Sequence, residues 1–227
     1  MNYVPEKNHG KPEMSTVLHE YIKVRRLSSD HNSSIVLTKR WLYSFLVCIA
    51  ILYPVSGFSS EVNAGLWAAI KTSNSLVLLR HANAPGMGDP EYFDLEDCST
   101  QRNLSDAGRK QATAIGELFR VHGIENARVL SSQWCRCLET ATLLNLGSVE
   151  VLPHLNSFFQ QYERRESQTE NLRQWIEKHS IEQTVVLITH QVNITSLTGV
   201  YPSSGELVVV NRSKSGKLSV IGSIKTD

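Results

Sequence analysis

The stretch "LVLLRHANAP", residues 76–85, places an Arg-His pair directly after a short apolar run. An unalternating apolar run is typical of a buried β-strand, so we predict a strand that begins at Ser75 and ends at Arg80. Pro85 indicates that a loop follows. Arg80 and His81 therefore lie at the end of a buried strand, where α/β proteins commonly bind their ligands.

A second stretch, "TVVLITH" at residues 184–190, repeats this arrangement and places His190 directly after a buried strand. The carboxyl ends of strands in an open α/β sheet line a shared crevice, so we expect His81 and His190 to face one another. A single histidine at a strand end is more often a hydrogen-bonded structural residue. It is the repetition that favours a functional role.

Strand and helix patterns alternate along the chain from Ser75 onward. Between the two strands that end in histidine, the sequence predicts a helix over 104–123, a strand over 127–132, a helix over 133–145, a strand over 149–152 and a helix over 169–179. The last two apolar segments, 206–212 and 217–224, predict a β-hairpin. We therefore expect a three-layer α/β/α sandwich with a mostly parallel central sheet, a C-terminal β-hairpin and no large cap domain.

Composition divides the chain into three parts, a polar extension over 1–40, a signal peptide or membrane anchor over 41–64, and the folded domain over 65–227. The extension is unusual ahead of a signal, and we expect translation to begin after most of it, near Val36. This arrangement predicts an exported, periplasmic protein whose contact with a membrane is limited to its N-terminal segment.

The apolar run over 41–55 follows Lys39-Arg40 and is shorter than the roughly 20 residues of a membrane span. A positive pair, an apolar segment and then small residues are typical of a secretory signal, with cleavage after Gly57 or Ala64. An uncleaved anchor and a buried helix remain the alternatives.

The charge balance excludes one class of function. The chain carries 23 Lys and Arg against 22 Asp and Glu, a formal net charge of +1, with no basic stripe, so we expect no nucleic-acid partner. The sequence also lacks a Gly-rich phosphate loop, a G-x-S-x-G nucleophile motif and an H-E-x-x-H zinc motif. We therefore do not expect a nucleotide-binding P-loop protein, a serine hydrolase or a zinc protease.

Arg136 lies in the first turn of a predicted helix, where free backbone N–H groups and the helix dipole favour an anion. Taken alone, it would be interpreted as a solvated surface charge. Together with Arg80, His81 and His190 it could form a cage for a phosphoryl group, because arginine binds phosphate oxygens in a bidentate manner.

The cysteines support one disulfide bond. Export would remove Cys48 with the signal and leave Cys98, Cys135 and Cys137 in an oxidising compartment. Cys137 lies on the apolar stripe of its predicted helix, so Cys135 is the better partner for Cys98. The cysteine spacing fits no zinc site, and we expect no metal.

Three motifs, "LLRHANAP", "VLSSQWCRCLETA" and "VLITHQVNI", resemble in order and spacing the signatures of the histidine phosphatase superfamily. Within it, the chain is similar to small exported bacterial members such as the lipopolysaccharide-core heptose phosphatase type. The resemblance implies that His81 is the nucleophile, that Arg80 is its phosphate-binding neighbour, and that Arg136 and a protonated His190 hold the phosphoryl oxygens.

The sequence departs from the family pattern at the general acid. Gln191 follows His190 where one branch carries an Asp, and Asn156 lies near the place where the other branch has a Glu. Ala84 replaces an arginine of the acid phosphatase branch. A different carboxyl group is therefore needed if the substrate is an alkyl phosphate.

Two predicted loops, 83–102 and 156–168, are expected to carry substrate specificity, with Asn83 at the start of the first. Their carboxyl groups are candidate proton donors, namely Asp89, Glu96, Asp97 and Glu163, of which Glu163 is favoured. Arg164 and Arg165 could extend the substrate contacts, although a solvated loop surface is the simpler interpretation.

The resemblance implies a phosphomonoesterase that needs neither metal nor cofactor and forms a phosphohistidine intermediate. Its substrate would be a small phosphorylated molecule such as a sugar phosphate. Two alternatives stay open, a phosphatase acting on phosphohistidine or another phosphoramidate, and a phosphate-ester binding module that has lost turnover.

Overall fold

The computed structural model describes residues 56–226, with side chains from residue 63 onward. The extension over 1–40 and most of the segment over 41–64, with Cys48, lie outside the described residues. The helices are α1 (Ser56–Ile70), α2 (Asp106–Val121), α3 (Cys135–Leu144), α4 (Arg165–Lys178) and α5 (Gln191–Thr198). The strands are β1 (Ser75–Arg80), β2 (Arg128–Ser131), β3 (Val149–Val151), β4 (Val185–Thr189), β5 (Leu207–Arg212) and β6 (Leu218–Ile224).

The strands form one sheet in the order β3-β2-β4-β1-β5-β6. Strands β3, β2, β4 and β1 are parallel, whereas β5 and β6 form an antiparallel hairpin that extends the sheet from β1. In the β1–β4 pair Arg80 lies opposite Thr189, so His81 and His190 leave neighbouring strands at the same level. The expected mostly parallel sheet with a C-terminal hairpin is confirmed.

Helices cover both faces of the sheet, because alternate strand residues point to opposite sides. Val77 and Leu79 pack in a buried cluster with residues of α1, α2 and α3. Leu76 and Leu78 pack in a second cluster with residues of α4 and α5. This is the expected three-layer sandwich, and no large cap domain interrupts the described part of the chain.

Helix α2 illustrates how local sequence sets an element beside the site. Ser105 caps it by accepting a hydrogen bond from the Gly108 backbone N–H at 3.0 Å, and Gly123, with φ of 76°, ends it. Gly108 also packs against the Asn83 carbonyl group so closely that a Cβ atom there would clash. The helix therefore anchors the loop that follows the Arg-His pair.

Two elements differ from the sequence expectation. Helix α4 begins at Arg165, four residues before the predicted start, and α5 was not predicted because its eight residues show no amphipathic pattern. Helix α1 spans both proposed cleavage positions and buries Leu66 and Trp67 against the sheet. None of the described helices is long and apolar enough to cross a bilayer.

Candidate active site

His81 is a buried, neutral imidazole with one free nitrogen. Its Nδ1 lies 2.8 Å from the carbonyl oxygen of Ala82, which can only accept, so Nδ1 carries the hydrogen and Nε2 keeps its lone pair. Burial, followed by the positive charge of Arg136, lowers the pKa of His81 to about 3. The imidazole is therefore unprotonated at neutral pH and suited to act as a nucleophile.

His190 lies beside it, with ring centroids 5.5 Å apart. Its Nε2 atom is 2.9 Å from the Ser132 hydroxyl and 3.5 Å from the Cys137 sulfur. Burial and then the charge of Arg136 lower the pKa of His190 well below its ordinary value. In the unliganded site, burial and the charge of Arg136 therefore favour a neutral His190 over the protonated form expected from the sequence.

Arg136 is buried, with 3 % of its side chain exposed, so the solvated-surface interpretation is wrong. It projects from the first turn of α3 and donates from Nη1 and Nη2 to the two Asp89 oxygens at 2.7 and 3.1 Å. Its Nη1 also donates to the Arg102 carbonyl oxygen at 3.2 Å.

Two arginine Nε–H groups are buried without a hydrogen-bond partner among the described residues, those of Arg80 and Arg136. Arg80 donates through Nη1 to the Pro202 carbonyl oxygen at 2.8 Å, which fixes the side chain at the end of β1. A buried donor left unpaired costs about 1–3 kcal/mol. An anion bound between these side chains could satisfy both groups, and this fits the phosphate cage expected from the sequence.

Arg102 is a third cationic residue of the site that the sequence argument missed. It lines the same pocket as Arg80 and Arg136, and donates to the carbonyl oxygens of Gly88, at 2.8 Å, and Ala84. Burial and then the nearby Arg136 charge lower its pKa to about 10. Its place at the end of the predicted specificity loop was the one signal that could have identified it.

The remaining pocket-lining residues include several apolar side chains. The outer lining of the pocket includes Met87, Phe159, Val192 and Tyr201, contributed by loops and by the first turn of α5. Among the described residues that line it, none is Asp or Glu. The pocket thus combines cationic and imidazole groups at its base with apolar side chains around its mouth.

Residues 76–179 match the profile of the histidine phosphatase superfamily (branch 1). This segment belongs to the histidine phosphatase superfamily. It contains Arg80, His81 and Arg136, while His190 lies beyond the match and is brought to the same site by the pairing of β1 with β4. The superfamily expected from the three motifs is therefore confirmed for this part of the chain.

Two proteins illustrate the similarity. Serine/threonine-protein phosphatase Pgam5, mitochondrial, of Drosophila virilis is 32% identical over 74 residues, which is 33% of this chain and 23% of the relative. The match thus spans less than a quarter of that relative's length. The protein histidine phosphatase SixA, in a complex with tungstate, aligns with a TM-score of 0.50 and 18% identity over 67% of this chain and 97% of its own. This structural likeness concerns the fold, and the family match supports a phosphatase.

The fold does not bring Glu163 to the pocket. Glu163 is exposed on a short 3-10 helix, Tyr162–Arg164, and is not among the pocket-lining residues. Glu96 and Asp97 are exposed as well, and Asp97 caps another 3-10 turn through Ser99. Their role as proton donors is therefore not supported by the geometry of this site.

Asp89 and Asn156 are also unsuited to protonate a leaving group. Asp89 is paired with Arg136, and although burial alone would raise its pKa, the hydrogen bond and charge of Arg136 lower it. Asn156 is buried, and its Oδ1 accepts hydrogen bonds from the Gln133 backbone N–H, at 2.9 Å, and from Ser132, at 3.3 Å. Both side chains are therefore hydrogen-bonded to neighbouring protein groups.

The predicted specificity loops reach the pocket through residues other than those singled out. Asn83 is exposed and is tied to α2, because its carbonyl oxygen accepts a hydrogen bond from Ser105 at 3.1 Å. Residues 86–88 of the same loop line the pocket instead. Arg165 lies outside the pocket, where its Nε donates to Ser196 at 3.2 Å.

A disulfide bond joins Cys98 to Cys135, with 5.7 Å between the Cα atoms. It links the loop that carries Asp89 and Arg102 to the start of the helix that carries Arg136. Cys137 is a free, fully buried thiol whose pKa burial raises to about 12, so it is unreactive at neutral pH. No cluster of His, Cys, Asp and Glu suited to a metal occurs within the described residues.

Proposed function

We propose that this histidine phosphatase domain hydrolyses phosphomonoesters through a phosphohistidine on His81, without a metal ion. The observation that carries the proposal is a neutral imidazole in one pocket with Arg80 and Arg136, whose buried Nε–H groups have no partner among the described residues. A nucleophile and hydrogen-bond donors for an anion in one pocket are what in-line phosphoryl transfer requires.

In the first step, the lone pair of His81 Nε2 attacks phosphorus and the P–O bond to the leaving group breaks. The electron pair goes to the leaving oxygen, and Arg80, Arg136 and Arg102 hold the phosphoryl oxygens. In the second step, water attacks phosphorus and the N–P bond breaks, which returns the electron pair to Nε2 and releases inorganic phosphate. The guanidinium groups supply the positive charge that the transition state needs, and this is the basis for proposing that no metal is required.

His190 contributes as a neutral hydrogen-bond donor in this scheme. When the Ser132 hydroxyl, 2.9 Å away, donates to His190 Nε2, the remaining nitrogen carries a hydrogen and can donate to a phosphoryl oxygen. Ser132 has one hydroxyl hydrogen, so this tautomer requires that the hydrogen points to His190 Nε2 rather than to Asn156 Oδ1.

The substrate is proposed to be a small phosphorylated molecule, such as a sugar phosphate, met outside the cytoplasm. Support for export comes from the signal-like segment over 41–64 and from the Cys98–Cys135 disulfide, which is typical of proteins in oxidising compartments. The resemblance to exported heptose phosphatases supports the sugar phosphate.

The absence of any carboxyl group from the described pocket lining favours a second candidate, hydrolysis of phosphohistidine or another phosphoramidate. An alkoxide leaving group needs a proton donor, usually worth about 10²- to 10⁴-fold in rate. The nitrogen leaving group of a phosphoramidate is basic enough to take its proton from solvent. Such a substrate would suit the acid-free pocket.

Phosphate release from three substrates by the full chain distinguishes these possibilities. We expect turnover of p-nitrophenyl phosphate that is insensitive to EDTA and falls by at least about 10³-fold in His81→Ala, while His154→Ala, outside the pocket lining, changes it little. Faster turnover of glucose 6-phosphate than of phosphoramidate supports the first candidate, and the reverse supports the second. Phosphate binding without turnover would identify a binding module.

A further inference from the structure

We propose that Asp89 is a positioning residue for Arg136, holding one edge of the guanidinium so that its Nε edge faces the phosphoryl group. The inference rests on the proposed phosphatase function and adds a residue that the reaction depends on without contact to substrate. Asp89 itself is not among the residues that line the pocket.

The hydrogen bonds of Arg136 account for three of its five N–H groups. Nη1 donates to Asp89 Oδ1 at 2.7 Å and to the Arg102 carbonyl oxygen at 3.2 Å, and Nη2 donates to Asp89 Oδ2 at 3.1 Å. What remains is the Nε–H and one Nη2–H, which lie side by side along the other edge of the planar group. That edge matches two oxygens of a phosphoryl group.

Asp89 is rigidly placed for this role. Its side chain is 15% exposed, its Oδ1 accepts a hydrogen bond from the Arg102 backbone N–H at 3.1 Å, and its Oδ2 accepts one from the Trp134 indole at 3.0 Å. Trp134 directly precedes the helix that carries Arg136. The carboxylate therefore ties the specificity loop to α3 at the point where the guanidinium enters the pocket.

Asp89 also sets the charge at the base of the pocket. Three guanidinium groups line it, those of Arg80, Arg102 and Arg136, and Asp89 is the carboxylate ion-paired with one of them. Removing this negative charge strengthens the attraction for an anion but frees Arg136 to rotate away from its catalytic orientation. Binding and turnover should then change in opposite directions.

The test compares Asp89→Asn with wild type in the full chain, using p-nitrophenyl phosphate turnover and calorimetric binding of inorganic phosphate. We expect kcat to fall by about 10- to 100-fold, since a small misplacement of a catalytic group has effects of this size. The Kd for phosphate should stay the same or decrease. Asp89→Glu retains the charge and both acceptor oxygens, so its kcat should be at least about threefold higher than that of Asp89→Asn.

Glu150→Gln is the matched control, because Glu150 makes a comparable bidentate pair with Arg128, at 3.0 and 2.8 Å, away from the pocket. Its kcat and phosphate affinity should stay within about twofold of wild type. Trp134→Phe provides a second variant if Asp89→Asn does not fold, since it removes the indole hydrogen bond to Asp89 while keeping an aromatic ring beside Phe93 and His190. It should lower kcat by about two- to fivefold and leave phosphate binding unchanged.

An unchanged kcat in Asp89→Asn, or a loss of phosphate binding parallel to the loss of kcat, would overturn the positioning role while leaving the phosphatase proposal intact. If Asp89→Asn cannot be folded, an unchanged kcat in Trp134→Phe would have the same consequence. Wild-type protein that neither hydrolyses p-nitrophenyl phosphate nor binds phosphate would overturn the proposed function and this inference together.

Discussion

The base and the mouth of the pocket are built in different ways. At the base, His81 and His190 follow paired strands and are buried; His81 is hydrogen-bonded to the Ala82 carbonyl oxygen and His190 to the Ser132 hydroxyl. At the mouth, Met87 and Tyr201 come from loops, with 85% and 75% of their surface exposed. Under the proposed function, phosphoryl transfer belongs to groups that the fold buries, and recognition of the leaving group to exposed loop residues.

The sharpest test of this contrast is to remove an arginine from the base. We expect Arg136→Ala to lower kcat/KM by about 10²- to 10³-fold, because a buried donor pair to the transition state is lost and Asp89 is left uncompensated. Arg136→Lys should not restore the rate, since an ammonium group cannot donate along two parallel bonds. Steady-state kinetics with p-nitrophenyl phosphate measure this, and Arg128→Ala on β2, outside the pocket lining, serves as control. A loss below tenfold would show that the base is less rigidly organised than we describe.

The disulfide bond tests how firmly the first loop is held to the base. Breaking the Cys98–Cys135 bond by Cys98→Ser should lower the free energy of unfolding by about 3–4 kcal/mol, because a cross-link of this span restricts the unfolded chain. Chemical denaturation with and without reductant measures the loss, with Cys137→Ser as a control that leaves the bond intact. If reductant lowered the free energy of unfolding of Cys98→Ser as much as that of wild type, the loss could not be assigned to this bond.

The buried base of the pocket should make the stability of the protein depend on pH. The pKa of His81 is lowered from 6.5 to about 3 in the folded protein, so between these values the unfolded chain binds more protons than the folded one. Stability should therefore fall as pH drops below about 6.5, by up to about 1.4 kcal/mol per pH unit for this one group.

Urea denaturation of wild type at pH 7 and pH 5 measures this dependence. His81→Ala should show a smaller difference between the two pH values. An equal pH dependence in wild type and His81→Ala would mean that His81 titrates normally in the folded protein.

The smallest effect is expected at the mouth. Tyr201→Ala should raise KM for p-nitrophenyl phosphate by about two- to fivefold, because it removes part of an exposed aromatic contact with the leaving group. The Kd for inorganic phosphate, which has no leaving group, should be unchanged. A parallel weakening of phosphate binding would place Tyr201 at the base of the site instead, acting through the neighbouring Arg80.

The same contrast decides what the sequence could predict. Strand ends are defined by local apolar runs, so the positions of Arg80, His81 and His190 follow directly from the pattern. The burial of Arg136 and its pairing with Asp89 depend on how a loop folds back over α3, which no local pattern specifies. Glu163 was favoured for its sequence position, but the 3-10 turn around it leaves the side chain exposed.

The charge states of the site residues likewise could not be predicted from the local sequence pattern. A protonated His190 was expected from its role, but the enclosed position beside cationic Arg136 makes the neutral form more stable. Arg102 shows the opposite case, since its contribution comes from a loop that the sequence had already assigned to the site. The fold and the reactive core were thus accessible from the sequence, while the arrangement of charge required tertiary structure.

We expect neutral His81 to carry the phosphoryl group during turnover. Rapid acid-free quenching of the full chain with substrate, followed by mass spectrometry under alkaline conditions, measures the phosphorylated residue directly. We predict a single phosphoryl group on His81 that is lost on acid treatment and is absent from His81→Ala. Phosphate release by wild type with no phosphorylated His81, or with the group on another residue, would contradict the account.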